Sequence, residues 1–274
     1  MSKISLVVSD VDGTLVNSEK ILTERNRAAV AQIQKAGIGF SIMSSRPPFG
    51  LRMLMEPLAL RLPFGAFNGA VIAAPDLSVI EQHELASDVA REAIAMLRSA
   101  SVAAWAFTAG HWLAEDAGGA YVDKEIRTIQ TQPTIVARIE DRLEAVVKLV
   151  GVSRDFDGLA SCEQAMRRVL GNRATVARSQ SYYLDITPAG TDKGLGVMTL
   201  SRRLGVPVDE IVTIGDMEND VPMFKVSGLS IAMGNANAEV KRAARAVTLS
   251  NEDDGVAVAA EKIILPRASN PRVV

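Results

Sequence analysis

Short apolar runs and stretches of helical period alternate along the first third of the chain. Residues 4–8 are almost wholly apolar and read as a buried strand. Thr23 is placed as the N-cap of a helix through Lys35, with Ala29, Val30 and Ile33 on one face and Gly37 at the C′ position. Residues 38–43 form a second buried strand that ends at Ser44-Ser45-Arg46-Pro47. A helix over residues 51–60 and a short strand leading to the turn signal Asn68-Gly69-Ala70 follow. Strands alternating with helices predict a mainly parallel sheet covered by helices.

The pattern changes over residues 83–188. Helical stretches at 88–99, 140–149 and 159–170 mix with β-like runs at 102–107, 134–138 and 182–186, and both tryptophans and all three tyrosines fall here. After Pro188 the alternation resumes. Asp192-Lys193-Gly194 opens a helix to about Leu204, closed by Gly205, and residues 211–214 form a strand running into Gly215-Asp216. Strands at 228–233 and 246–249 flank a helix at 238–244. The expected fold class is therefore α/β: a doubly wound, Rossmann-like parallel-sheet core from residues 1–82 and 189–274, interrupted by an α+β cap at 83–188.

Composition narrows the function classes. The 274 residues are 48% hydrophobic and 23% charged, with net charge −2, as expected of a soluble globular protein and not of one that grips a nucleic-acid backbone. The single cysteine, Cys162, excludes an intrachain disulfide framework and reads as a small apolar helix residue. No apolar segment is long enough to span a bilayer. The run at the amino terminus is too short for a signal peptide and ends in Asp-x-Asp. The expected location is cytoplasmic, the expected state is a monomer or homodimer, and the tail 267–274 is expected to fray.

The chemistry begins at Asp10-Val11-Asp12-Gly13-Thr14-Leu15. Two carboxylates at i and i+2, at the carboxyl end of a buried strand, can both face the crevice where open α/β sheets bind ligands. They suit a nucleophile with a general acid/base, a metal site, or both. Asp10, Asp12, Ser44, Lys193, Asp216 and Asp220 all lie at strand ends or helix starts, which a doubly wound sheet gathers along one edge. Such a set suits attack of a carboxylate on a phosphate dianion. Two unit charges about 4 Å apart repel by roughly 4 kcal/mol at an effective dielectric near 20. Mg²⁺ and the Lys193 ammonium would offset that repulsion.

The order DVDGTL, Ser44, Lys193 and Gly215-Asp216-Met217-Glu218-Asn219-Asp220 resembles the haloacid dehalogenase superfamily of phosphohydrolases. More narrowly it is similar to the Cof-type branch with an α+β (C2B) cap, as are Asn68-Gly69-Ala70, Leu184-Asp185-Ile186-Thr187-Pro188 and Asn251-Glu252-Asp253-Asp254-Gly255-Val256. The resemblance implies Asp10 as nucleophile and Mg²⁺ ligand. It implies Asp12 as general acid and then base, with its backbone carbonyl on the metal, and Asp216 as the further metal carboxylate. Ser44 and the backbone near Gly13 would bind the phosphoryl oxygens, Lys193 would neutralise the transferring group, Asn219 would reach the phosphate or Lys193, and Asp220 would support the metal's water shell. Where the family often has Thr-Gly-Arg, this chain has Ser44-Ser45-Arg46. Ser44 keeps the hydroxyl; Ser45 adds a side chain near the substrate; Arg46 either touches substrate or pairs on the surface.

Singly, these residues have ordinary readings: Asp10 and Asp12 as turn caps, Asp216 and Asp220 as helix-start acids, Lys193 as a solvated helix residue, Asn68 as half of a common Asn-Gly turn. His83 and His111 have no partner spacing for a metal and read as loop residues, Trp105 and Trp112 as cap packing, and Met217 as a site-entrance or turn residue. As one ordered set the residues imply a Mg²⁺-dependent phosphomonoesterase for a small phosphorylated metabolite, with sugar phosphates the leading class, acting through phospho-Asp10 while the cap closes over the leaving group. The rivals are a phosphomutase using Arg138, Arg167, Arg168, Arg173 and Arg178 for a second phosphate, and a non-catalytic phosphometabolite sensor.

Overall fold

The computed structural model describes residues 3–268, and the chain divides into two compact units. One unit comprises Met1–Ser45, Arg52–Ile80 and Asp192–Val274; the other comprises Arg46–Leu51 and Glu81–Thr191. The last part of the expected frayed tail, from residue 269 on, lies outside the described residues.

The first unit is built on a five-stranded parallel sheet. Its spatial order is Ala246–Val247, Leu229–Ala232, Ile211–Gly215, Leu6–Ser9, Gly39–Ile42. Strands Leu6–Ser9 and Ile211–Gly215 are buried along their whole length, as a parallel strand covered on both faces must be. From Leu6–Ser9 the chain first steps to Gly39–Ile42 on one side. When it returns after the insertion it builds on the other side. The reversal leaves a crevice at the carboxyl ends of the two central strands, the place where such sheets bind ligands.

Helix Glu24–Lys35 starts at Thr23, whose hydroxyl accepts from the Asn26 N–H, and buries Ala29, Val30 and Ile33. Helix Lys193–Leu204 is capped by Asp192, which accepts the Leu195 N–H at 2.8 Å, and stops at Gly205 in the left-handed region. The expected helix over 51–60 is shorter, a 3₁₀ turn Pro48–Leu51 followed by Arg52–Met55. Pro57 accounts for the stop, because it disfavours helical geometry at Glu56 and removes a donor.

The second unit carries a six-stranded sheet in the order Ala174–Gln180, Tyr183–Pro188, Lys148–Val152, Ala103–Phe107, Trp112–Ala114, Thr134–Ile135. Helices Ser87–Ser99 and Phe156–Leu170 contribute Ala93, Ile94, Leu97, Leu159, Cys162 and Met166 to its core. The helix expected at 140–149 is not there. Ile139–Asp141 makes a 3₁₀ turn, and Lys148–Val152 is a central strand paired on both edges. Its alternating Val150 and Val152 fit a buried pleated strand better than a helix. The strand expected at 134–138 shrinks to Thr134–Ile135, and the run expected at 182–186 is strand Tyr183–Pro188, whereas helix Val122–Ile129 and the strand Ala174–Gln180 that pairs antiparallel with Tyr183–Pro188 were not anticipated. Trp105 and Trp112 are buried edge-to-face with ring centroids 5.0 Å apart, and His83 and His111 fall between elements.

The helix that carries Lys193 sits backbone-on-backbone against the Phe67–Gly69 turn. A Cβ on Gly196 would lie 2.9 Å from the Gly69 Cα and 2.5 Å from the Met43 methyl carbon. Gly196→Ala is therefore expected to lower stability by about 1–3 kcal/mol, the usual cost of overpacking. A urea midpoint equal to the wild type would show that the helix can lift off without penalty.

Candidate active site

Asp10 follows strand Leu6–Ser9 and Asp216 follows strand Ile211–Gly215, so the parallel pairing of the two strands brings the ends of the chain together. Lys193, the first residue of its helix, is 1% exposed and reaches both Asp10 Oδ1 at 2.5 Å and Asp220 Oδ1 at 2.6 Å. Asp220 Oδ2 accepts the backbone N–H groups of Asp216 and Met217, at 2.8 and 2.9 Å. Thr14 donates its hydroxyl to Asp216 Oδ1 at 2.8 Å, and Asn235 donates its amide to Asp216 Oδ2 at 3.2 Å. Gly13 is in the left-handed region, and a Cβ there would lie 2.4 Å from Asp216 Oδ2. Only glycine lets the loop pass this close to the carboxylate.

The remaining expected residues divide into two groups. Ser44 is buried; its N–H donates to the Gly65 carbonyl at 3.0 Å and its carbonyl accepts the Asn68 N–H at 2.8 Å. Asn68 is left-handed, and its side-chain oxygen accepts from Asn219 at 3.1 Å, which ties the Ser44 segment to the loop of Asp216 and Asp220. Asp12 is half-buried and faces Lys20 at 2.8 Å. Ser45 is half-buried. Arg46, by contrast, is buried within the second unit, where its guanidinium donates to the carbonyls of Gly50 and Thr128 at 3.2 and 2.9 Å. Its burial argues against a surface pair, and two backbone acceptors in the interior hold it. Met217 is 48% exposed, which argues against a role as an apolar plug.

Thr14, Asn235 and Lys20 were not among the expected site residues. Thr14 stood inside the first motif, and Asn235 could have been sought as a polar residue just beyond a strand at the same sheet edge. Lys20 gave no signal in the sequence.

Charge is the dominant feature of this site. Asp10, Asp216 and Asp220 each offer a carboxylate oxygen within 4.8 Å of the others, against one ammonium. Burial, with Asp220 and Asp216 nearby, raises the Asp10 carboxyl well above its usual range despite Lys193. Burial likewise pushes Asp216 up to about 6 against the hydrogen bond from Thr14. Burial alone would lower Lys193, but the charges of Asp10 and Asp220 outweigh it and hold the ammonium raised. Three carboxylates less one ammonium leave an excess that a divalent cation would neutralise, and an all-oxygen donor set suits a hard cation. Asp10 and Asp216 are the residues fitted to hold one. Asp220 has its oxygens engaged by Lys193 and the backbone, so it braces the others.

A family model described as haloacid dehalogenase-like hydrolase matches residues 7–259. The chain is 26% identical over 283 residues to the 5-amino-6-(5-phospho-D-ribitylamino)uracil phosphatase YwtE of Bacillus subtilis (strain 168), covering 94% of this chain and 97% of that protein. It is 26% identical over 228 residues to the HMP-PP phosphatase of Cronobacter sakazakii, covering 83% of each. Among solved structures, a haloacid dehalogenase-like hydrolase from Bacteroides thetaiotaomicron superposes with a TM-score of 0.89 at 31% identity, covering 95% of this chain and all of that one.

A carboxyl raised by folding binds protons that the unfolded chain has already released, so its stabilising contribution is complete below about pH 4 and is lost as pH rises through about 6. In metal-free protein, Asp216→Asn should therefore gain melting temperature relative to wild type as pH is raised across that window. Added MgCl₂ should raise the wild-type melting temperature at neutral pH and leave the variant nearly unmoved. A difference between the two proteins that is flat with pH would show that the Asp216 carboxyl is not raised.

Proposed function

The chain belongs to the haloacid dehalogenase-like hydrolases and is a phosphatase of that superfamily, and from that premise we propose that it is a Mg²⁺-dependent phosphomonoesterase for a small phosphorylated metabolite. The observation that carries the proposal is the convergence of Asp10, Asp216 and Lys193 at the carboxyl ends of two adjacent parallel strands. Asp10, Asp216 and the Asp12 backbone carbonyl would hold a divalent cation, which would supply positive charge to offset the repulsion between the nucleophile and the phosphoryl group.

An Asp10 carboxylate oxygen attacks phosphorus, and the bond from phosphorus to the leaving oxygen breaks. Asp12 gives its proton to that oxygen. Asp12 then takes a proton from water as the water oxygen attacks phosphorus, which releases phosphate and restores Asp10. Lys193, held in place by Asp220, stabilises the charge on the transferring group, and Ser44, the Gly13 backbone and Asn219 orient its oxygens. Asn68 acts through Asn219.

A sugar or polyol phosphate is the leading substrate class. The Bacillus subtilis relative is named for a substrate that carries its phosphate on a ribityl group. A mutase needs free cations for a second phosphate. Of the five arginines considered, Arg138, Arg167, Arg173 and Arg178 are instead engaged with Glu140, Glu163, Glu92 and Glu163 respectively, and Arg168 is exposed on helix Phe156–Leu170. This pairing favours hydrolysis.

A screen of phosphorylated metabolites for phosphate release with and without MgCl₂ tests the reading; release that is indifferent to EDTA would overturn it. Asp10→Asn should abolish turnover and with it any alkali- and hydroxylamine-labile phosphoenzyme. Asp12→Ala should cost on the order of 10²–10⁴-fold with alkyl phosphates and much less with p-nitrophenyl phosphate, whose leaving group needs little help from an acid. Equal losses on both substrates would remove Asp12 from the role of acid.

A further inference from the structure

The segment after the first motif makes a tight turn that the proposed chemistry leaves without a purpose. The Asn17 N–H donates to the Ile21 carbonyl, the Lys20 N–H donates to the Asn17 carbonyl, and the Asn17 side chain accepts the Ile21 N–H, at 3.1, 2.9 and 2.9 Å. Lys20 sits in the left-handed region at φ 65°, where glycine or asparagine would be accommodated with less strain. Its ammonium lies 2.8 Å from Asp12 Oδ1, with the lysine side chain 40% and the aspartate side chain 25% exposed. A long cation at a strained turn position, aimed at a single carboxylate, is a costly way to make a solvated surface pair.

The turn is also held from outside. Three asparagine amides donate to backbone carbonyls of the preceding loop: Asn235 to Gly13, Asn26 to Leu15 and Asn251 to Val16, at 2.9, 3.1 and 3.2 Å. Glu252 accepts the Ser18 N–H at 2.8 Å, and Asp254 accepts the Thr23 hydroxyl at 2.6 Å. Asn251-Glu252-Asp253-Asp254, a motif with no part in the chemistry, thus braces the loop that presents Lys20.

We propose that Lys20 is a positioning residue for Asp12, and that the segment Asn251–Asp254 serves catalysis by fixing the turn that carries it. The Lys20 ammonium restrains the partly exposed Asp12 carboxyl in the orientation from which it meets the leaving oxygen and then the water. The proposal rests on the phosphatase reading for its kinetic consequence, but the geometric consequence stands apart from it.

The test compares wild type, Lys20→Met, Lys20→Arg and Glu252→Ala on phenyl phosphate and p-nitrophenyl phosphate, whose leaving groups need a proton to different extents. Lys20→Met should lower the ratio of kcat for phenyl phosphate to kcat for p-nitrophenyl phosphate on the order of tenfold, with KM unchanged. Lys20→Arg should restore most of the ratio, and Glu252→Ala should move it in the same direction by less. An unchanged ratio, or a raised KM with kcat intact, overturns the proposal. The crystal structure of Lys20→Met gives the independent arm. Asp12 in its wild-type rotamer overturns the positioning role, and a displaced Asp12 supports it. Failure of the wild type to hydrolyse either ester sinks the phosphatase reading alone and leaves the crystallographic arm standing.

Discussion

The site depends on one buried ammonium. Lys193 is at the first turn of a helix, where the backbone dipole disfavours a cation, and it is almost fully removed from water. Neither circumstance is tolerable for an unpaired lysine. Asp10 and Asp220 make it tolerable, and they come from opposite ends of the chain. Removing one partner of such a buried set typically costs about 3–5 kcal/mol, because the charges left behind have no solvent to turn to. The helix, the Asp10 strand end and the Asp220 turn are therefore locked to one another.

Around that lock the carboxylates outnumber their counter-charge. Asp216 is not touched by the ammonium; a threonine hydroxyl and an asparagine amide orient it, and neither carries a charge. The result is a pair of raised carboxyls, Asp10 and Asp216, fixed in place yet under-neutralised. Burial makes the imbalance severe and also makes it useful, since electrostatic interactions strengthen as water is excluded. A site with surplus negative charge is suited to a hard cation, which would give it the means to admit a phosphate dianion.

Much of this was legible in the chain. Helices Glu24–Lys35 and Lys193–Leu204 carry caps and closing glycines that local chemistry alone makes readable. Asp10, Lys193 and Asp216 stand out because each follows a run or opens an element that a parallel sheet delivers to one edge. The inserted unit was read less well. Residues 140–149 have helix formers at their start, and only pairing on both edges shows why the valines that follow are a strand. The contacts of Asn235 and Lys20 were opaque for another reason. Their partners are Gly13, Asp216 and Asp12, and those contacts are set by how loops lie over the sheet edge, which no local period encodes.

The distribution of burial also separates the two aspartates of the first motif. Asp10, with a side chain 7% exposed and an ammonium at 2.5 Å, is held still. In the proposed reaction a nucleophile that must approach phosphorus in line would benefit from having one position. Asp12, two residues on, has a quarter of its side chain exposed and a partner that is itself in contact with water. A group that must pass a proton to a departing oxygen and then collect one from an arriving water needs access to both. The strand end dictates the first environment and the turn beyond it the second. Spacing the carboxylates at i and i+2 thus places one in the dry interior of the sheet edge and the other at its wet margin, so two identical side chains acquire different environments.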